Sequence, residues 1–364
     1  MYYDPIYQNE QIYIAGPECF YTNGYPHWFA LAGRAEMYGC GVTMPNNNDL
    51  HLGNTDKRKD ADAIFLNCAN SMRKSTVIIL DLEFYRGPDV DGGSIYELGM
   101  AYGLGCRCYA FTRDLREMRF KYQGSQIRGQ QVYDQKGRPL PYADLPFSPN
   151  ILGACKLVEG DFDDALHLMS LDITEERKRG QYPRKQVPIQ SLPAQHARPA
   201  VYLAGPERWD ADAAEQYAEM KRLCAHYGLD AVTPLDGTLP DRYAKAFQTF
   251  ENNQHHIQQC DVVLANLNDF HGWEPDSDTA FECGLGYILG KKLYGYMDNN
   301  CKMIDRVPNF GEAREFRDQC GCNVENFDYP INCMFAGSMP ILGGSFEQVL
   351  KEVVEDLKKQ EVLK

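Results

Sequence analysis

The chain has 364 residues, 44% hydrophobic and 24% charged, the make-up of an ordinary globular protein with room for two domains of roughly 150 residues each. Its 51 acidic and 37 basic residues leave a net charge of −14, which disfavours nucleic acid and anionic membranes as partners and suits a neutral or cationic small ligand. The first residues lack the basic start and apolar run of a signal peptide, and no segment approaches the roughly 20 apolar residues of a membrane span, so a cytoplasmic protein is expected.

The first predicted element is a short strand, Ile12 to Ala15, halted by Gly16-Pro17. It returns almost unchanged as Val201 to Ala204 before Gly205-Pro206. The apolar run Val77 to Leu82 lacks alternation, as expected of a strand covered on both faces, and Val262 to Leu267 repeats it. Around these runs, residues 75–114 align without a gap on 260–299, with ten identities in forty positions. The identities include Gly87 with Gly272, Asp91 with Asp276, Glu97 with Glu282 and Gly99 with Gly284. A last echo pairs Asn150-Ile151-Leu152 with Asn332-Cys333-Met334. In the second copy a helix is predicted over Ala211 to Tyr227, ending at Gly228 before the strand-like Ala231-Val232.

The chain therefore reads as one module written twice, 1–173 and 200–364, joined by a proline-rich basic linker at 174–199 whose charges form a solvated surface. Alternating strands and helices in each copy predict a doubly wound α/β fold with a mainly parallel sheet, whose ligands gather beyond the carboxyl ends of the strands. Thirteen cysteines without a C-x-x-C pair, and histidines adjacent only at His255 and His256, predict reduced thiols, no metal and no cofactor.

Beyond the second strand stand Asp91-Gly92-Gly93-Ser94-Ile95-Tyr96-Glu97 and Asp276-Ser277-Asp278-Thr279-Ala280-Phe281-Glu282. Ser94 with Glu97, and Thr279 with Glu282, fit a capping box that opens a helix. That pattern leaves unexplained an Asp six positions before the Glu in both copies, at the ligand edge of the sheet. Paired carboxylates there suit covalent catalysis. Glu97 and Glu282, in the positive field of a helix start, are expected ionised and nucleophilic, with Asp91 and Asp276 moving the proton. Tyr13 and Tyr202, on a neighbouring strand, are placed to orient the nucleophile through a hydroxyl hydrogen bond. Phe20, Trp209 and Tyr96 are expected to wall the site against water.

Together, Y-[IL]-A-G-P, D-x-[GD]-[ST]-x-x-E-x-G and N-x-[LM] resemble the nucleoside 2-deoxyribosyltransferase family, in tandem and over nearly the whole chain outside the linker. The resemblance implies two flavodoxin-like modules and transfer of 2-deoxyribose from a deoxynucleoside to a free nucleobase through a deoxyribosyl-glutamate ester. It implies Glu97 and Glu282 as nucleophiles, Asp91 and Asp276 as base-contacting acids, and Tyr13 and Tyr202 as orienting hydroxyls, beside Gly16, Gly205 and Gly93. A further family acid falls at Asn253 in copy two and at Cys68 in copy one, and neither side chain exchanges a proton as a carboxyl does. Copy two also has Asp278 where copy one has Gly93. In the family a neighbouring subunit completes each site with an asparagine and a methionine. Here Asn332 and Met334 would complete the site of Glu97, and Asn150 and Leu152 that of Glu282, in a pseudo-dimer within one chain that leaves further self-association open. The alternatives are a nucleoside or nucleotide N-glycosidase of the same fold and a nucleoside-binding protein in which one or both modules are inactive.

Overall fold

The computed structural model describes residues 9–44, 52–122, 124–129, 131–135, 137–140, 142–182, 187–193, 196–237, 245–312 and 315–363. The first module begins with β1 (Gln11–Ala15), a short 3-10 turn at Pro17–Phe20, α1 (Gly24–Met37) and β2 (Gly41–Thr43). It continues through α2 (Lys57–Lys74), β3 (Val77–Asp81), α3 (Gly92–Gly103), β4 (Arg107–Thr112) and α4 (Met118–Lys121). An antiparallel hairpin of β5 (Gln126–Arg128) and β6 (Gln131–Tyr133) follows, then α5 (Pro149–Ala154), β7 (Lys156–Glu159) and α6 (Phe162–Lys178).

The second module repeats the plan with β8 (Ala200–Ala204), a 3-10 turn at Pro206–Trp209, α7 (Ala213–His226), β9 (Asp230–Val232), α8 (Lys245–Gln259) and β10 (Val262–Asn266). Then come α9 (Ser277–Ile288), β11 (Lys292–Met297), α10 (Met303–Arg306) and the hairpin β12 (Asn309–Glu312) with β13 (Glu315–Asp318). It closes with α11 (Cys333–Ala336), β14 (Ile341–Gly343) and α12 (Phe346–Lys359). Helix α6 runs past the junction expected at 174, because its apolar face continues to Ile173 and its last turn is charged. Of the expected linker, 183–186 and 194–195 lie outside the described residues.

Each module holds a five-stranded, all-parallel sheet, ordered β2-β1-β3-β4-β7 and β9-β8-β10-β11-β14. This is the doubly wound flavodoxin-like order, which reverses direction between the first strand and its inner neighbour and opens a crevice there. The continuous apolar runs follow from burial on both faces. On β1 and β3, Ile12, Ile14, Val77 and Ile79 pack under α1 and α6 with Trp28, Leu166 and Met169. Their alternates Tyr13, Ala15, Ile78 and Leu80 face a second core that also contains Tyr202, Val263, Phe281 and Leu285 of the other module. The two modules thus share one core.

Helices α3 and α9 cross at the centre of that core. A methyl group added to Gly99 would stand 2.1 Å from the carbonyl oxygen of Phe281, and one added to Gly284 would stand 1.9 Å from that of Tyr96. The contacts are reciprocal under the repeat, as an isologous two-fold interface requires. Gly87 and Gly272 also meet backbone to backbone. Four glycines of the repeat (Gly87, Gly272, Gly99 and Gly284) therefore mark close approaches between modules. Among the described residues no helix is long and apolar enough to cross a membrane, and all thirteen cysteines are free.

Candidate active site

Asp91 caps α3, and this changes the sequence reading of both acids. The Asp91 Oδ2 accepts the Ser94 N–H at 2.8 Å and the Ser94 hydroxyl at 2.6 Å, and Asp276 holds Thr279 in the same way at 3.0 and 2.7 Å. The aspartates, not Ser94 and Thr279, are the caps, so the capping box through Glu97 and Glu282 does not form. Glu97 sits a turn further in, where the Tyr13 hydroxyl donates to its Oε1 at 2.5 Å. The dipole does not keep it ionised. Burial pushes its carboxyl up to about 8, against the lowering effect of the Tyr13 and Cys68 hydrogen bonds.

Glu97 borders a cavity of about 190 Å³ at the end of the first sheet, together with Gly16, Cys68, Asp91 and Gly93. Phe20, Tyr25, Trp28 and Ile64 supply apolar wall, while Tyr96 packs instead in the shared core against Phe65 and Phe335. The other module completes the enclosure with Glu325, Phe327, Asn332, Cys333 and Met334. Asn332 caps α11 by accepting the Met334 N–H at 2.8 Å and lies so close to Gly93 that an added methyl there would meet its amide at 2.8 Å. Asn332 and Met334 of the second module thus line the same cavity as Glu97 of the first.

In the second copy the glutamate itself is sealed off. Glu282 is 0% exposed, and Arg208 clamps it with Nη1 to Oε1 at 2.7 Å and Nη2 to Oε2 at 2.5 Å. The Tyr202 hydroxyl and the Asn150 amide donate to the same Oε1 at 2.8 and 3.3 Å. Arg208 is held from behind by its Nε bond to the Gly205 carbonyl. Trp209 donates its indole N–H to the free oxygen of Asp276 at 2.9 Å. Asp278 uses the space that Gly93 leaves open and accepts the Asn150 N–H at 3.0 Å. Leu152 is half-buried against the shared core, and Asn253 is buried with neither amide atom partnered. The sequence reading missed Arg208 and Glu325. The signal for Arg208 was legible, since Pro17-Glu18-Cys19-Phe20 becomes Pro206-Glu207-Arg208-Trp209. Glu325 has Ala143 as its counterpart when the repeat is counted back from Asn332 and Asn150, so internal comparison gave no carboxylate to notice.

A family profile described as nucleoside 2-deoxyribosyltransferase matches residues 12–166 and again 201–334. The chain belongs to that family, with two copies of its module. A 2-deoxyribosyltransferase structure from Leishmania mexicana is 27% identical, covering 43% of this chain and 97% of its own, with a TM-score of 0.37. One from Bacillus psychrosaccharolyticus is 20% identical over 42% of this chain and 90% of its own, with a TM-score of 0.29. An uncharacterized protein of Schizosaccharomyces pombe is 25% identical over 44% of this chain and 90% of its own. Each relative has the length of one module.

Proposed function

We propose that the protein transfers 2-deoxyribose between nucleobases at one site per chain, the cavity of Glu97, with the second module serving as the permanent partner that completes it. The observation that carries this reading is the contrast between the two glutamates, one held by Tyr13 at a cavity wall and the other locked on both oxygens by Arg208. In its ionised form Glu97 attacks the anomeric carbon as the base departs, and the resulting ester awaits a second base. Asp91, with its Oδ1 buried and unpartnered, faces the same space to bond the base. Apolar walls from both modules keep water from the ester, which favours transfer over hydrolysis. Among the described residues lining the cavity, three are acids and none is Lys, Arg or His, so an uncharged nucleoside fits and a nucleotide phosphate would meet no basic partner there.

The test is to incubate the intact protein with a deoxynucleoside and a second free base, and to weigh the acid-quenched protein. Formation of the exchanged nucleoside, with a single deoxyribosyl group added at Glu97, is the expected result. Absence of exchange overturns the reading, two added groups refute the single site, and prompt free deoxyribose without exchange assigns an N-glycosidase instead.

A further inference from the structure

The first module's cavity contains a carboxyl group that its own chain segment does not supply. Glu325 enters from the second module, on the segment between β13 and α11. Its Oε1 accepts the Cys333 N–H at 3.3 Å, while its Oε2 is buried and has no partner. A buried carboxyl oxygen left unbonded costs stability, and this one lies where a ligand would bind. The segment that carries it is fixed by the first module. Arg86, at a left-handed φ of 53°, donates to Asp318 Oδ2 at 3.0 Å and to the Asn323 carbonyl at 2.6 Å, and its Nη1 lies 3.5 Å from Glu274.

The other acids of the cavity are each engaged in part, although the Asp91 Oδ1 is also unpartnered and faces the base. Glu97 is held by Tyr13, and one oxygen of Asp91 takes both Ser94 bonds to cap α3. We propose, resting on the transfer reaction above, that Glu325 is the proton donor and acceptor for the nucleobase, supplied across the module interface to a site whose own helix α2 presents only Cys68. As the C1′–N bond breaks, its electron pair goes to the base, and the Glu325 proton neutralises that base at a ring nitrogen while an oxygen of Glu97, in its ionised form, bonds C1′. In the second half the Glu325 carboxylate takes the proton from the incoming base, whose nitrogen displaces Glu97. The charged and titratable groups around Glu325 are Arg86, Asp91, Glu274, Cys19, Cys68 and Cys333. Burial outweighs the lowering by Arg86 and holds the carboxyl up to about 7, so a proton is available near neutrality.

The test compares two donors in single-turnover ester formation. One is an ordinary deoxynucleoside, and the other is 7-methyl-2′-deoxyguanosine, whose cationic base leaves without a proton. Glu325→Gln keeps the shape and the acceptor for the Cys333 N–H. It is expected to slow the ordinary donor by ~100-fold or more while leaving the cationic donor within about threefold of wild type, with Glu325→Asp recovering part of the loss. Equal slowing of both donors, or no slowing of either, overturns the proposal, and the rate with the cationic donor reports that the variant is folded. A wild-type protein that forms no ester with either donor refutes the transfer reaction itself rather than the role of Glu325.

Discussion

At the residue scale, two glutamates related by the repeat experience opposite physics. Glu97 is buried without a countercharge, and its carboxyl is pushed up to about 8, whereas Glu282 is buried with an arginine on both oxygens. Glu97 is neutral in the folded protein below about pH 8 but ionised in the unfolded chain above its ordinary value near 4.5, so its cost to stability grows over that interval and is constant beyond it. Glu97→Gln should therefore stabilise the protein by on the order of 3 kcal/mol at pH 8, little at pH 4, and abolish exchange. Glu282→Gln should do the reverse. It leaves Arg208 buried against a neutral group, which costs about 3 kcal/mol, while exchange per folded molecule persists. Thermal melts at pH 8 beside exchange assays on both variants check the pair. A loss of exchange in Glu282→Gln proportionate to that in Glu97→Gln would mean that both halves work.

At the element scale, the close crossing of α3 and α9 sets where each module's loops land on the other. Gly99→Ala would drive a methyl group to 2.1 Å from a backbone carbonyl, which cannot yield as a flexible side chain does. The helices must separate, at a cost of about 1–3 kcal/mol, and Glu325, Asn332 and Met334 would withdraw from Glu97. Gly99→Ala is thus expected to lower both the melting temperature and the exchange rate. Gly33→Ala in α1, where nothing lies within 4 Å, should raise stability by about 0.5–1 kcal/mol and leave exchange intact. Circular-dichroism melts and initial rates on the two variants distinguish these outcomes. The strands at the site were legible because burial on both faces demands unbroken apolar runs, as in Val77–Asp81 and Val262–Asn266. The asymmetry was harder to read. It resides in single side chains of 3-10 turns and loops, such as Cys19 against Arg208, where the shared backbone imposes no pattern on the residue chosen.

At the scale of the whole molecule, pairing two modules over one core buries carboxyl groups at the interface and around the cavity. Burial holds Asp81 up to about 6, Glu325 and Asp278 up to about 7, and Asp89, Glu97 and Glu274 up to about 8. Each is protonated in the folded state over a range where the unfolded chain has lost the proton, so stability falls as pH rises from about 4.5 towards 8. His271 acts in the opposite direction. Burial lowers it to about 4, so the unfolded chain binds its proton first and stability falls as pH drops below about 6.5. Six carboxyl groups outweigh one imidazole, and the half-exposed Asp114, lowered to about 2 by Arg116, adds little because solvent screens the pair. The melting temperature should therefore be highest near pH 5 and decline steadily to pH 8.5, the reverse of a protein whose acids are mostly paired. Melts across this range on the wild type and on Glu97→Gln/Glu325→Gln test the cause as well as the trend. The double variant should lose roughly a third of the slope between pH 6 and 8, where Asp89 and Glu274 still titrate fully and Asp278 in part. An unchanged slope would place the stored protons elsewhere in the fold.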